Sequence, residues 1–382
     1  MKKYLFFGFG TLSIIVLAIG FWVMHLFVSL PDVSFLKHYR PPAAAEILDK
    51  DGQFLTNYYD GKFRIWIPIG QIPDIVIQAV VTAEDDTFFE HKGVNYKATW
   101  NALVQDVQQH KFARGGSTIT QQMIKNVLLS KEKTLSRKIR EYILARRAEE
   151  ILTKRQILEI YINEVEWGEN IYGIEAASRF YFDKHASEMN VAEASLLAGM
   201  LPNPHFFDPF KRLSKARERQ ERVLFNMQQA KIISQEEYQA ALSAPIVLRQ
   251  DSSSKLYTPH SVAGRVRPCY ERVLELTLLT VYGEKDLHLS GSIIRTTLDK
   301  TLQTELVKRT IAPPNEETDT RERILMITQS GVIRAFACDG SSVRPIPGLL
   351  EQLGLPYSGY EVNTFDPNAV NRDEIILTTE QK

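Results

Sequence analysis

The sequence predicts a mainly α fold that follows an N-terminal membrane-spanning helix and precedes a small α+β region. Three observations predict this order. Residues 5–24 contain no charged side chain, and apolar residues then recur at helical spacing from about residue 73 to residue 242. Beyond residue 290 the pattern changes to short alternating runs, which are typical of strands.

Length and composition narrow the class of protein. With 382 residues and 44% hydrophobic content, the chain has room for two domains with real cores. Lys plus Arg and Asp plus Glu number 46 each, so no bulk charge favours a nucleic acid as partner. Only Cys269 and Cys338 are present, without a CxxC pattern, which argues against a zinc site and leaves one disulfide open.

The N-terminal apolar run is long enough to cross a bilayer as a helix. Lys2 and Lys3 precede it, which favours an N-terminus in the cytoplasm and a body outside. We therefore expect residues 1–30 to be an uncleaved signal-anchor. A cleaved signal peptide is the alternative, but the run is long and no A-x-A site follows it.

Residues 31–72 are predicted as a juxtamembrane linker with a hairpin. The Pro41-Pro42 pair stops the anchor helix, and Asp51-Gly52 lies between two alternating runs within residues 46–59. Residues 73–249 follow as the helical domain. We expect its helices to be capped by three residues in particular: Asp74, Ser187 and Ser234.

The polar break QDSSS at residues 250–254 predicts a domain boundary, followed by an α+β region over residues 250–340. Its expected elements are a helix at 268–282, a strand at 292–298, a helix capped by Asp299 that runs to Arg309, and a hairpin of 324–328 with 332–338 around Ser330-Gly331. Residues 341–382 show no strong period and are expected to form an irregular tail.

The stretch EDDTFFEHKG at residues 84–93 carries the first candidate chemistry. On a continued helix, Glu84, Phe88 and His91 share one face with the apolar residues that precede them. A carboxylate at the edge of an apolar face can have its pKa raised by desolvation, as a general base requires. The alternative is a solvated acidic helix end with Phe88 in the core.

The stretch RGGSTITQQMIKN at residues 114–126 predicts an anion site. Ser117 and Thr118 place hydroxyls at a helix start, and Gln121 and Lys125 lie one turn apart on one face. Free amides, hydroxyls and a following lysine suit a phosphate or pyrophosphate. An ordinary capped helix is the alternative, and the P-loop spacing is absent.

A strongly basic helix is predicted at residues 133–150, with Arg137 and Glu141 at i and i+4. One interpretation is a cationic wall for an anionic leaving group, in which the surrounding cations keep Glu141 ionised. The other is a solvated salt bridge worth only about 0.3 to 0.5 kcal/mol. Residues 157–184 add apolar positions at helical spacing, which are mostly expected to pack in the core.

Four segments taken together resemble one family. They are EDDTFFEHKG at residue 84, GGSTITQQMIKN at 115, RKIRE at 137 and ILEIYINEVEWGENIYGIEAA at 157. In this order they resemble the peptidoglycan glycosyltransferase domain of class A penicillin-binding proteins and monofunctional transglycosylases, over roughly residues 43–248. The resemblance implies a lysozyme-like α fold on a single-pass anchor in the bacterial inner membrane, with the catalytic domain on the outer side.

By this resemblance, Glu84 is the general base that takes the proton from the 4-hydroxyl of the acceptor lipid II. That oxygen then attacks the growing glycan donor with inversion, and polyprenyl pyrophosphate leaves. Glu141 matches the second essential glutamate. Substrate-binding positions are implied at Asp85, Phe88, His91, Ser117, Thr118, Gln121, Lys125, Asn126, Lys133, Arg137 and Lys138. No cofactor is required, although Mg²⁺ or Mn²⁺ could accompany the pyrophosphate.

Two residues depart from the family pattern. Asn95 stands where an aspartate is common, and Lys133 stands where arginine is frequent. Lysine keeps the charge but loses bidentate phosphate geometry, so weaker donor binding is expected.

The acylation elements of a transpeptidase are not apparent. S-x-x-K occurs at Ser34, Ser130 and Ser252, but no S-x-N or K-T-G accompanies it. We therefore expect a class A-like chain reduced to its glycosyltransferase, with a C-terminal remnant that either binds other cell-wall synthesis proteins or has no role. The alternative functions are a muramidase-like hydrolase and a non-catalytic envelope scaffold.

Overall fold

The structure is a computed structural model, and it describes residues 17, 20–22, 24, 26–59, 62–97, 99–100, 116–129, 134–249, 293–310, 323–329, 332–339 and 360–365. These residues divide into two compact units. One comprises residues 1–40 with 67–249, and the other comprises residues 41–66 with 250–382. The predicted linker at residues 31–72 is therefore split between the two units.

The helices, in chain order, are α1 (Asp74–Glu84), α2 (Ile119–Leu128), α3 (Leu135–Ile151), α4 (Lys154–Glu164), α5 (Ile174–Phe182), α6 (Val191–Met200), α7 (Pro209–Gln229), α8 (Gln235–Ser243) and α9 (Lys300–Thr310). Short 3-10 helices lie at Ser34–His38, Ile69–Gln71 and Ala186–Glu188. The strands are β1 (Ala45–Leu48), β2 (Phe54–Tyr58), β3 (Phe63–Arg64), β4 (Glu166–Gly168), β5 (Ile171–Tyr172), β6 (Ile293–Arg295), β7 (Arg323–Gln329), β8 (Val332–Asp339) and β9 (Tyr360–Phe365). The described chain is thus mostly helical.

Helix α6 forms the centre of the helical unit. Its sequence VAEASLLAGM is apolar on nearly every side, and the residues from Ala192 to Met200 are all buried. It packs against α7 and α1. The contact with α7 is close at Gly199, where an added Cβ would lie 3.1 Å from the backbone of Arg219. This close approach brings Arg219 toward the end of α1.

Helix α1 ends at Glu84 and does not continue to Phe88 and His91. Asp85 has φ −163° and ψ 75°, outside the helical region, so Phe88 and His91 stand on the turns that follow. At the other end Pro73 is the N-cap residue and no side chain caps the helix. The expected cap by Asp74 is therefore wrong, although its charge still suits a helix N-terminus.

Other predicted caps have different outcomes. Ser234 caps α8 in a capping box with Glu237, and the side chain of Asp299 accepts a hydrogen bond from the Leu302 N–H in α9, so both predictions are confirmed. Ser187 does not cap α6. It lies within a 3-10 helix, and Asn190 caps α6 instead, because Asn190 is the residue directly before its first turn.

The second unit contains both predicted hairpins. β1 pairs antiparallel with β2, and β7 pairs antiparallel with β8, which confirms them. The predicted strand at 292–298 is shorter, Ile293–Arg295, and it pairs in parallel with β1. The expectation of an irregular tail is wrong over Tyr360–Phe365, because this segment pairs with β7 as a third strand.

Some expectations concern residues outside the described part of the chain. The helix at 268–282, the Ser330-Gly331 turn, Cys269 and most of the apolar run at 5–24 are among them. Within the residues that the structure describes, no helix combines the length and hydrophobicity needed to span a bilayer.

Candidate active site

A cleft of about 170 Å³ opens where α1 ends and α2 begins. Its lining comes from both sequence stretches singled out above: Thr82, Ala83, Glu84, Asp85, Asp86, Asn95, Gly116, Ser117 and Thr118. The fold therefore brings the acidic segment and the hydroxyl-rich helix start together on one concave surface. Such a surface is the usual setting for a ligand site.

Glu84 is the last residue of α1, and its two carboxyl oxygens have different surroundings. Oε2 accepts a hydrogen bond from Nε2 of Gln122 at 2.7 Å. Oε1 is buried and has no hydrogen-bond partner among the described residues. Burial raises the pKa of Glu84, while Gln122, Arg219 and Lys125 oppose that rise. A half-buried carboxyl with one free oxygen suits a general base.

Asp85 links the cleft to the start of α2. Its Oδ2 accepts a hydrogen bond from the Ile119 N–H at 3.0 Å, and both its oxygens lie 3.0 Å from Nε2 of His91. Burial raises the pKa of Asp85, against the effects of His91 and Ile119. Asp85 and His91 therefore hold the backbone of the site, and their contact with substrate stays a prediction.

Phe88 supports this arrangement from the core. Its side chain is fully buried, and the ammonium of Lys154 lies 4.2 Å from its ring centroid. The His91 ring centroid is 6.1 Å away in an edge-on contact. A ring with no exposed surface shapes the site through packing, so a direct substrate contact by Phe88 receives no support from its position.

The first turn of α2 uses two of the predicted binding residues in a capping box. Thr118 accepts from the Gln121 N–H at 3.2 Å, and the Gln121 side chain accepts from the Thr118 N–H at 2.9 Å. The Thr118 hydroxyl also donates to the carbonyl of Gly93 at 2.7 Å. Both residues are buried, so their positions serve the helix start.

The cationic group on α3 surrounds Glu141, which is buried. Arg137 and Lys138 reach its carboxylate at 3.1 and 2.9 Å. Lys138 also donates to the hydroxyl of Ser117 at 2.7 Å, which joins α3 to the cleft wall. The predicted ion pair thus exists, and it is largely removed from solvent.

Lys125 completes this group from α2. Burial lowers its pKa, Glu141 and Glu84 raise it, and Arg137 and Lys138 lower it. Lys125 is therefore within electrostatic range of the candidate base and of the charged residues of α3. Of the two remaining predicted residues, Asn126 is exposed on α2 and Lys133 lies outside the described residues.

Three residues at the site were not predicted from the sequence: Gln122, Tyr161 and Arg219. The signal for Gln122 was present, because the T-x-x-Q pattern of Thr118 and Gln121 marks a capping box and leaves the next glutamine to face the site. The packing of α4 brings Tyr161 to Gln122, and the packing of α7 brings Arg219 near Glu84; no local pattern indicates either.

Comparison with known proteins agrees with this geometry. Residues 51–228 match the family model described as transglycosylase. Residues 51–228 therefore form a transglycosylase-family region of this chain. Every site residue discussed above, from Glu84 to Arg219, lies inside the matched transglycosylase region.

Two relatives and one solved structure show the extent of the similarity. Penicillin-binding protein 1A of Rickettsia felis is 31% identical over 328 residues, which is 84% of this chain and 40% of the relative. Penicillin-binding protein 1A of Neisseria gonorrhoeae is 34% identical over 298 residues, covering 77% and 35%. The crystal structure of penicillin-binding protein 1A from Haemophilus influenzae covers 77% of this chain and 38% of that chain, at 19% identity and a TM-score of 0.39. The chain therefore spans 40% and 35% of the length of these two relatives.

Proposed function

We propose that this chain is a peptidoglycan glycosyltransferase that polymerises lipid II into β-1,4-linked glycan strands. The observation that carries the proposal is the setting of Glu84. Its desolvated carboxyl belongs to the lining of the cleft, keeps one oxygen without a hydrogen-bond partner among the described residues, and has the cations Arg219 and Lys125 nearby. This combination provides a base and a site for an anionic leaving group on the same surface.

In the proposed reaction, Glu84 takes the proton of the acceptor's 4-hydroxyl. The hydroxyl oxygen forms a bond to the anomeric carbon of the donor glycan, and the bond from that carbon to the pyrophosphate oxygen breaks. Attack opposite the leaving group inverts the configuration. The electron pair of the broken bond leaves with polyprenyl pyrophosphate.

The charge that develops on the pyrophosphate needs stabilisation. Lys125 is the candidate, because Arg137 and Lys138 already contact Glu141. In this arrangement Glu141 is a positioning residue that orients two cations. Arg137 and Lys138 then present their positive charges to the phosphate oxygens.

No step is assigned to a divalent cation. Among the described residues, no group of three or more His, Cys, Asp or Glu side chains has the arrangement of a metal site. If Mg²⁺ or Mn²⁺ takes part, its ligands would come mainly from the pyrophosphate oxygens and water.

The membrane placement is part of the proposal. Residues 26–28 are helical, and exposed apolar side chains at Phe21, Phe27 and Val28 suit contact with lipid. Arg140 of α3 donates to the hydroxyl of Ser29 at 3.0 Å, so the cationic helix sits beside the end of this segment. A single-pass anchor in the inner membrane, with a lysozyme-like domain on its outer side, would place the site next to a lipid-linked substrate.

Binding of other cell-wall synthesis proteins through the C-terminal unit is also proposed.

A muramidase-like hydrolase is disfavoured by the surroundings of Glu141. Glycan hydrolysis uses two carboxyl groups that flank the scissile bond, one of them able to donate a proton. Both oxygens of the Glu141 carboxylate are in ion pairs, one with Arg137 and one with Lys138, so neither faces a scissile bond in this arrangement. A non-catalytic scaffold would not need a desolvated carboxyl that opens into a cleft.

The test uses purified full-length protein with labelled lipid II, and products are separated on a gel. The wild type is expected to form long glycans, Glu84→Gln to lose about 10²-fold or more of the rate, and Glu90→Gln, an exposed control in the same segment, to match the wild type. Digestion of preformed glycan without polymerisation would support the hydrolase. Unchanged substrates with both the wild type and Glu84→Gln would support the scaffold.

A further inference from the structure

Two polar side chains lie in line behind the carboxyl of Glu84. Gln122 donates from Nε2 to Glu84 Oε2 at 2.7 Å, and the hydroxyl of Tyr161 lies 3.3 Å from Gln122 Oε1. Tyr161 is fully buried, whereas Glu84 reaches the cleft. The row therefore runs from the core, through an amide, to the candidate base.

The chemistry of the three groups fixes the orientation of the amide. An ionised carboxylate only accepts hydrogen bonds, so the NH₂ of Gln122 must face Glu84. The amide carbonyl then faces Tyr161, which has to donate its hydroxyl proton. A flipped amide would place its carbonyl oxygen against the carboxylate of Glu84, and that repulsion opposes the flip. In the observed orientation the hydroxyl of Tyr161 donates to the amide carbonyl and so helps to hold it in place.

This row makes the two oxygens of Glu84 unequal. Oε2 is occupied by the Gln122 amide, whereas Oε1 is buried and has no partner among the described residues. We propose that Gln122, held by Tyr161, is a positioning residue that makes Oε1 of Glu84 the oxygen that receives the acceptor's proton. The proposal rests on the glycosyltransferase function above and adds the residues that orient its base.

The proton balance follows from this geometry. As the acceptor O–H bond breaks, its electron pair contributes to the new C–O bond and the proton forms Oε1–H on Glu84. Oε2 becomes the carbonyl oxygen of the acid and still accepts from Gln122. The amide therefore needs no rearrangement when the base changes its protonation state, which keeps reorganisation small.

The same amide also favours the ionised form of Glu84. Burial raises the pKa of Glu84, and the Gln122 hydrogen bond, Arg219 of α7 and Lys125 of α2 lower it, while Asp85 raises it further. Tyr161 stays neutral, because burial and the nearby carboxylates raise its pKa well above its ordinary value. Because the Gln122 amide opposes the effect of burial, its loss is expected to raise the pKa of Glu84 further.

The test is the pH dependence of kcat/KM for lipid II polymerisation by the full-length protein. Glu84 must be ionised to act, so the rate falls as pH drops through its pKa. Gln122→Met is expected to move this acid limb to higher pH by about 1 to 2 units, since a charged hydrogen bond is lost. Tyr161→Phe should move it in the same direction by less.

Two matched controls separate positioning from packing. Tyr181→Phe removes another buried hydroxyl, which donates to the Trp167 carbonyl at 3.3 Å, and Gln239→Met changes an exposed glutamine on α8. Neither is expected to move the acid limb. Thermal unfolding of all four variants checks that they are folded.

The outcomes separate the positioning role of Gln122 from the glycosyltransferase function. If the wild type polymerises lipid II and folded Gln122→Met and Tyr161→Phe lose the same factor at every pH, or lose nothing, the positioning role is overturned while the function stands. If the wild type forms no glycan under any condition, the proposed function itself fails.

Discussion

Oδ2 of Asp85 accepts a hydrogen bond from the backbone N–H of Ile119, the first residue of α2, at 3.0 Å. Asp85 directly follows the candidate base, and Ile119 directly follows the Thr118 cap. One buried carboxylate thus ties the end of α1 to the start of the helix that forms the opposite wall of the cleft.

Asp85→Ala is expected to destabilise the protein by about 1 to 3 kcal/mol, because the Ile119 N–H and the His91 ring lose their partner inside the protein. Denaturant unfolding with an unchanged m-value measures this loss. Asp86→Ala is the matched control, since Asp86 is exposed, and it should stay within about 0.5 kcal/mol of the wild type. Equal unfolding free energies for both variants would contradict the role of Asp85.

Glu84→Gln is expected to stabilise the fold at neutral pH while it removes activity. A carboxyl whose pKa is raised by folding binds more protons in the folded state than in the unfolded state. The stability of the protein therefore falls as the pH rises from the ordinary pKa of glutamate through the raised pKa of Glu84. The neutral amide avoids this loss, with a gain of roughly 0.5 to 2 kcal/mol that is typical of such replacements. Unfolding curves at neutral pH and below the ordinary glutamate pKa should show the gain only at neutral pH, and a gain of equal size at both would refute it.

Lys125→Met is expected to lower kcat for glycan formation by about 10²-fold, because the charge on the leaving pyrophosphate grows in the transition state. KM should change less than kcat. Steady-state rates with lipid II measure both. Lys92→Met, at an exposed lysine, serves as the control and should behave like the wild type. A variant with normal kcat and a raised KM would instead indicate ground-state binding only.

Gly93→Ala is expected to destabilise the protein by about 1 to 3 kcal/mol. Gly93 has φ +84°, and an added Cβ would lie 2.7 Å from the carbonyl oxygen of Ala145 on α3. Its own carbonyl accepts the Thr118 hydroxyl, so a shift here would also disturb the α2 cap. Thermal unfolding compares it with Gly70→Ala, where the added Cβ has no neighbour within 4 Å. Equal Tm values would show that the backbone relaxes without cost.

Local signals in the sequence predicted many of the elements. Ser234 and Asp299 cap helices as expected, and both hairpins form. The failures have local causes too: Asp74 and Ser187 resemble caps, but the caps belong to Pro73 and Asn190. Several residues near a helix start can compete for the cap, and the position of the first turn decides among them.

The sequence predicted some residues of the candidate site and missed others. Glu84, Lys125, Arg137, Lys138 and Glu141 lie together as the resemblance implied. Gln121 was expected at the substrate, yet its side chain is used in the cap, and the neighbouring Gln122 contacts Glu84. A shift of one residue on a helix turns the side chain by about 100°, so such a distinction depends on the exact start of α2.

The sequence by itself determined the mainly helical character and the hairpins, because these depend on side-chain types at short spacing. It also named Glu84 as the candidate base, through the resemblance of its motifs to a family. Only the tertiary structure decided that α1 stops at Glu84, that β6 joins the N-terminal hairpin, and that Tyr161 and Arg219 reach the site. Those features arise where distant segments compete for the same hydrogen bonds and the same buried volume. A local sequence pattern does not predict the outcome of that competition.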